Sequence, residues 1–116
     1  MINRALVVDD DESVALLMAR CLERLGWTAD VAHAKESALA LFQSGGHGLV
    51  ICDINLGRAD GISVARRIRE MAPAVRIVMS SALPDNLERA RAEGFLLCLG
   101  KPFRPEQFQA VIECGQ

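Results

Sequence analysis

The sequence predicts an α/β fold: five parallel strands in one sheet, with helices on both faces. Three observations predict it. Strand-like and helix-like patterns alternate five times along the chain, which favours parallel strands joined by helical crossovers. The strand-like runs, such as Ala5-Leu6-Val7-Val8 and Leu49-Val50-Ile51-Cys52, are apolar throughout, as expected where both faces of a strand are covered. The segments between them place apolar residues at helical spacing.

Taken in order, Ile2 to Val8 reads as the first strand. A helix follows from about Ser13, with Val14, Leu17, Met18, Cys21, Leu22 and Leu25 on one face and Gly26 as its stop. Trp27 to Ala32 is a short second strand, and Ala34 to Phe42 a second helix ended by Ser44-Gly45-Gly46. Leu49 to Cys52 is the third strand. Gly61 to Met71 is helical, with Ile62, Ala65 and Ile68 aligned and Pro73 beyond its end. Val75 to Met79 is the fourth strand. Pro84 suits the first turn of a helix that runs to Gly94. Phe95 to Leu99 is the fifth strand, and Pro105 opens a last helix carrying Phe108, Val111 and Ile112. No repeat, low-complexity segment or linker interrupts the pattern, so residues 1–116 are expected to form one domain.

Composition narrows the function classes. Hydrophobic residues make up 51% of the chain, enough for a core, and a domain of this size buries roughly two-thirds of its unfolded surface. A formal net charge of −2 gives no basic field for direct nucleic-acid binding. The apolar runs fall short of the ~20 residues a membrane helix needs. The start Met1-Ile2-Asn3-Arg4 leads directly into a strand pattern and reads as no signal peptide, so a cytoplasmic location is expected. Cys21, Cys52, Cys98 and Cys114 form no CxxC pair and read as reduced thiols, three of them within apolar patterns. His33 and His47 stand alone and read as surface or loop residues.

Chemistry concentrates at the strand ends. The first strand ends in Asp9-Asp10-Asp11, the third in Asp53, and the fifth in Gly100-Lys101-Pro102. In an open parallel sheet the carboxyl ends share one edge, where ligands bind. Two carboxylates about 4 Å apart repel by roughly 4 kcal/mol at an effective dielectric near 20, so such a cluster calls for a cation. A hard cation such as Mg²⁺ takes oxygen ligands and is commonly held by one or two carboxylates plus phosphate oxygens, and Asp9, Asp10 and Asp53 offer such ligands. Asp53 can act as a nucleophile toward phosphorus, Lys101 adds a positive charge, and Ser81 places a hydroxyl just past the fourth strand.

The segments Leu6-Val7-Val8-Asp9-Asp10-Asp11, Asp53-Ile54-Asn55-Leu56, Asp60-Gly61, Ser81-Ala82 and Lys101-Pro102-Phe103 resemble the receiver domain of two-component response regulators, in the family's order and spacing. The resemblance covers essentially the whole chain. It implies a doubly wound, flavodoxin-like sheet of five strands in the order 2-1-3-4-5, with five helices. It implies that Asp53 is the phosphoacceptor, that Asp10 is a direct Mg²⁺ ligand, and that Asp9 orients a metal-bound water. Asn55 would offer its backbone carbonyl to the metal. Ser81 would turn toward the phosphoryl group and Lys101 would contact it, with a cis bond to Pro102. The implied partners are a sensor histidine kinase or histidine phosphotransfer protein, and an output domain or partner protein at the face formed by helix 4, strand 5 and helix 5. A homodimer through that face is a further implied association.

Three positions depart from the family. The loop after Asp53 lacks the usual proline and reads Leu56-Gly57-Arg58-Ala59-Asp60-Gly61, so Gly57 is expected to loosen it and Arg58 to be a solvated cation near the site. Cys98 stands three residues before the lysine, where an aromatic residue or histidine is usual, so signalling is expected to rely on Ser81 and Ala82-Leu83-Pro84 rather than on a rotating ring. Phe95-Leu96-Leu97 replaces a small, acidic stretch; it either extends the buried strand or forms an apolar partner patch.

Other charged residues have simpler readings. Asp11 and Glu12 favour a helix N-terminus, Asp60-Gly61 is a turn and helix start, and Arg66, Arg67 and Arg69 form a solvated helix face. Trp27 reads as half-buried packing.

The leading function is therefore a regulatory phosphoacceptor, not an enzyme beyond slow self-dephosphorylation. A Mg²⁺-dependent phosphohydrolase with an aspartyl-phosphate intermediate is one alternative, although no insertion is long enough to cap a substrate. A receiver-like interaction module independent of phosphorylation is another, against which the set Asp10, Asp53, Ser81 and Lys101 argues. The chain reads equally as a stand-alone regulator or as part of a longer one.

Overall fold

The computed structural model describes residues 3–114, so Ile2 of the expected first strand lies outside the described residues. Five strands form one parallel sheet: β1 (Arg4–Val8), β2 (Thr28–Ala32), β3 (Leu49–Asp53), β6 (Arg76–Ser81) and β7 (Leu97–Gly100). A two-stranded antiparallel ribbon, β4 (Asn55–Leu56) and β5 (Ala59–Asp60), stands apart from it. The helices are α1 (Glu12–Arg24), α2 (Lys35–Gly45), α3 (Gly61–Met71), α4 (Pro84–Ala92) and α5 (Pro105–Glu113). The sheet order is β2-β1-β3-β6-β7, which is 2-1-3-4-5 counted over the five main strands.

Strand side chains point alternately to opposite faces, and this alternation divides the core in two. Leu6, Val8, Val50, Cys52, Ile77 and Met79 pack against α2, α3 and α4, through residues such as Phe42, Ile62, Ile68 and Leu87. Ala5, Val7, Leu49, Ile51, Val78 and Leu99 pack against α1 and α5, through Met18, Leu22, Phe108 and Ile112. Strands covered on both faces explain the unbroken apolar runs.

Local chemistry sets the helix starts. The Asp11 carboxylate accepts from the N–H groups of Ser13 and Val14 and caps α1, as its sequence reading holds. Asp60 caps α3 by accepting from Ile62 N–H. Pro84 and Pro105 occupy the first turns of α4 and α5.

Several expectations are corrected. The fifth strand runs Leu97–Gly100, so of the expected Phe95–Leu99 the first two residues fall outside it; Phe95 is buried beneath the Arg69 guanidinium, 4.1 Å from its ring centre, whereas Leu96 is 78% exposed. The chain leaves α4 through a bond from Phe95 N–H to the Ala90 carbonyl, and that turn sends adjacent residues in opposite directions. His47 lies in the loop between α2 and β3, as one of its two readings has it, but not at the surface: its ring is buried, stacked on Phe42, with Nε2 2.8 Å from Asp30 Oδ2. The arginines of α3 are not a plain solvated face either. Arg66 makes a two-pronged contact with Glu93 at 2.6 and 2.9 Å, and Arg69 donates to the Glu93 carbonyl. Each correction involves a partner distant in sequence. Among the described residues no helix is long and apolar enough to cross a membrane.

Candidate functional site

Register alone gathers the acids. Val8 of β1 pairs with Cys52 of β3, so Asp9 and Asp53, the next residue of each chain segment, emerge side by side. Asp53 pairs in turn with Ser80 on β6, and Ser81 with Gly100 on β7, which puts Lys101 one step beyond. The carboxyl ends of all these strands share one edge of the sheet.

Asp9, Asp10 and Asp53 each present a carboxylate oxygen within 4.8 Å of the others. Asp9 and Asp53 are 1% and 6% exposed, whereas Asp10 is exposed. Lys101 Nζ donates to Asp9 Oδ2 at 2.7 Å and lies 3.4 Å from Asp53 Oδ2. The other Asp9 oxygen accepts from Asp11 N–H at 2.9 Å. The Lys101–Pro102 peptide bond is cis, as the resemblance implies.

The electrostatics follow from this crowding. Burial, countered by the charge of Lys101 and reinforced by that of Asp9, pushes the Asp53 carboxyl up to about 6. A backbone N–H bond from Asn55 also favours its charged form. Burial alone would lower the Lys101 ammonium, but the bond to Asp9 and the charges of Asp53 and Asp9 outweigh it and hold the lysine above its ordinary value. Beside the site, burial first and then the charges of Asp53, Asp9 and Asp60 push the Cys52 thiol far up, which leaves it an inert core residue.

The donor set fits a hard divalent cation. Three carboxylates converge and the Lys101 ammonium offsets part of their charge, so the cluster carries excess negative charge and offers only oxygen ligands. Both Asp9 oxygens already accept hydrogen bonds, which suits contact with a cation through water better than direct coordination.

Ser81 stands apart from the acids in its bonding. Its hydroxyl accepts from Leu83 N–H at 3.0 Å and from the Asn86 amide at 3.3 Å, so it ties the start of α4 to the end of β6. Its backbone carbonyl accepts from Lys101 N–H. The geometry thus joins Asp9, Asp10, Asp53 and Lys101 directly and sets Ser81 at their margin. Cys98 is half-buried with its thiol toward the Phe95 carbonyl, and no ring stands at that position.

Two contacts were not read from the sequence. The Gly57 N–H donates to Asp10 Oδ2 at 3.0 Å, from the turn of the β4–β5 ribbon, so the expected loosening by Gly57 is corrected to an ordered turn. The Gly-Arg pair between two short runs was the available signal. Gly61 begins α3 with its Cα against the Asp53 carbonyl, leaving no space for a Cβ. Its N–H donates to the Ile54 carbonyl at 2.6 Å, which holds the Ile54–Asn55 peptide, one step beyond Asp53.

Comparison with known proteins agrees with this geometry. The family model described as "Response regulator receiver domain" matches residues 5–113. The virulence sensor protein BvgS of Bordetella pertussis is 38% identical over 108 residues, covering 85% of this chain and 9% of BvgS. The transcriptional regulatory protein TrcR of Mycobacterium tuberculosis is 37% identical over 111 residues, covering 94% of this chain and 43% of TrcR. The chain therefore spans less than half the length of these relatives. A response regulator from Burkholderia pseudomallei, solved with a phosphorylated aspartic acid, a calcium ion and citrate, superposes with a TM-score of 0.86 at 29% identity, over 97% of this chain and 67% of that one. A CheY-like receiver domain from Methanospirillum hungatei shares the fold with a TM-score of 0.87 at 23% identity, over 97% of this chain and 91% of that one. Fold, edge chemistry and sequence match lead to one conclusion: the chain belongs to the response regulator receiver domain family of two-component signal transduction.

Proposed function

We propose that Asp53 accepts a phosphoryl group from a phosphohistidine of a sensor histidine kinase or histidine phosphotransfer protein, and that its phosphorylation switches partner binding. The observation that carries this reading is the carboxylate of Asp53 at the end of β3, within 4.8 Å of those of Asp9 and Asp10 and 3.4 Å from Lys101. One Asp53 oxygen forms a bond to phosphorus as the donor's P–N bond breaks, and the imidazole leaves with its electron pair. With its carboxyl near 6, Asp53 is mostly ionised above neutral pH and available as the nucleophile.

Asp10, Asp53 and the Asn55 carbonyl would hold Mg²⁺ directly, with Asp9 reaching it through water. When bound there, Mg²⁺ neutralises charge on the phosphoryl oxygens. Lys101 supplies a positive charge to the same oxygens from the β7 side. Ser81 leaves its bonds to Leu83 and Asn86 to reach the phosphoryl group, which frees the first turn of α4 and alters the face formed by α4, β7 and α5. With Cys98 in place of a ring, that change is carried by Ser81 and Ala82-Leu83-Pro84. The chain thus acts in the cytoplasm as a regulatory phosphoacceptor rather than an enzyme. A virulence sensor protein and a transcriptional regulatory protein among the relatives support a regulatory role, whether the chain stands alone or forms part of a longer protein.

The deciding experiment is intact-mass spectrometry after incubation with a small-molecule phosphodonor, with and without Mg²⁺, on wild type and Asp53→Asn. A single Mg²⁺-dependent phosphate adduct that disappears in Asp53→Asn is expected. No adduct on folded wild type, with a cognate kinase also failing, would exclude the phosphoacceptor role.

A further inference from the structure

We propose that Gly57 is a positioning residue for the cation site: its backbone N–H, presented by a turn that suits glycine, fixes the Asp10 carboxylate. The inference rests on the reading of the acidic cluster as a Mg²⁺ site. The ribbon pairs Asn55 with Asp60 and Leu56 with Ala59, which leaves Gly57-Arg58 as a two-residue turn. Gly57 has φ +59°, and among the described residues no non-glycine has a positive φ, so of the two central positions only the first has one. That is the pattern of a type II′ hairpin turn, which favours glycine there. Proline at this position could not serve, because its φ is fixed near −65° and it has no N–H.

The bond crosses 47 positions of sequence and reaches the one exposed member of the acidic trio. Among the described residues no other hydrogen bond holds Asp10, and its Oδ1 is left unengaged. An exposed aspartate samples several rotamers, and ordering it opposes cation binding. Fixing one oxygen through a peptide N–H removes part of that cost and leaves the second oxygen to the metal, the arrangement that hydrogen-bonding partners behind metal ligands provide. The ribbon is itself anchored away from the cluster. It ends on Asp60, which caps α3 at Ile62 and pairs with Arg89 of α4 at 2.9 Å. These contacts anchor the turn without drawing on the acidic cluster.

Two measurements test this. Mg²⁺ titration by calorimetry near neutral pH compares wild type, Gly57→Pro and Arg58→Gly, each checked for folding by circular dichroism. Arg58→Gly loosens the turn but keeps the Gly57 N–H. Gly57→Pro should weaken Mg²⁺ binding about tenfold, while Arg58→Gly should weaken it by less than about twofold. Separately, in cation-free protein, the Gly57 amide should exchange its hydrogen more slowly in wild type than in Asp10→Ala. Equal Mg²⁺ affinities for wild type and folded Gly57→Pro would overturn the proposal, as would equal losses in the two turn variants or equal amide exchange in wild type and Asp10→Ala. Wild type that binds no Mg²⁺ and takes no phosphate would overturn the phosphoacceptor reading as well, whereas phosphorylation that survives alongside any of the other outcomes would remove the Gly57 role alone.

Discussion

The ammonium of Lys101 sits closer to Asp9, at 2.7 Å, than to the candidate phosphoacceptor Asp53, at 3.4 Å. In the cation-free protein Lys101 is therefore the counter-ion that makes a buried Asp9 tolerable. It also competes with any cation for the same carboxylates.

Lys101→Met should expose that balance. Removing one partner of a largely buried ion pair leaves Asp9 uncompensated, and the cation-free protein should lose about 3 kcal/mol of stability. Millimolar Mg²⁺ should restore much of the loss and should bind more tightly than in wild type. Denaturant melts with and without Mg²⁺ check both expectations, and unchanged stability in the cation-free variant would contradict the pairing.

The raised Asp53 carboxyl sets a pH dependence with a definite sign. Its folded value near 6 lies above the ordinary 3.8, so between about pH 4 and 6 the folded protein binds more protons than the unfolded chain. This group's contribution to stability therefore falls as pH rises through that window. In chelator, Asp53→Asn should be more stable than wild type at about pH 7.5, and the difference should shrink toward pH 4. Melts at both ends of the window check this; a difference that grows on acidification would refute it.

Asp60 has two roles that substitution separates. Burial acts to raise its carboxyl, but the Arg89 contact and the Ile62 N–H outweigh burial and hold it below the usual range. Asp60→Ala removes the cap of α3 and should cost about 1 kcal/mol. Asp60→Asn keeps a capping oxygen and should cost clearly less, because an exposed ion pair contributes little. Thermal unfolding of the two variants measures the difference.

Gly61→Ala places a methyl group against the Asp53 carbonyl, where backbone rather than a flexible side chain must give way. A cost of about 1–3 kcal/mol is expected, together with slower phosphorylation, since the strain falls on the peptide that follows the candidate phosphoacceptor. Stability and the rate of phosphate-adduct formation, measured on the same samples, test the link between α3 and Asp53.

Leu96 tests the partner face. At 78% exposure, Leu96→Glu should change stability by less than about 0.5 kcal/mol and leave Asp53 phosphorylation intact. Association with an output partner or a second copy should weaken, read by analytical ultracentrifugation or calorimetric titration. A large loss of stability would mean that Leu96 is packed after all.

Much of this protein is written locally. Apolar runs at Ala5–Val8 and 49–52 demand a sheet covered on both faces, helical spacing supplies the covers, and acids placed directly after strands must then meet at one edge. Asp11 and Asp60 cap helices that begin within three residues of them, so they too were legible. What the sequence left open depends on partners far away along the chain. The burial of His47 against Asp30, the hold of Gly57 on Asp10, the seat of Gly61 beneath Asp53 and the split between buried Phe95 and exposed Leu96 each require strand register and helix placement together. Periodicity reports which face a residue prefers. Only the packed chain decides which group stands opposite, because hydrogen bonds and close contacts are satisfied over a few ångströms of space, whatever the distance in sequence.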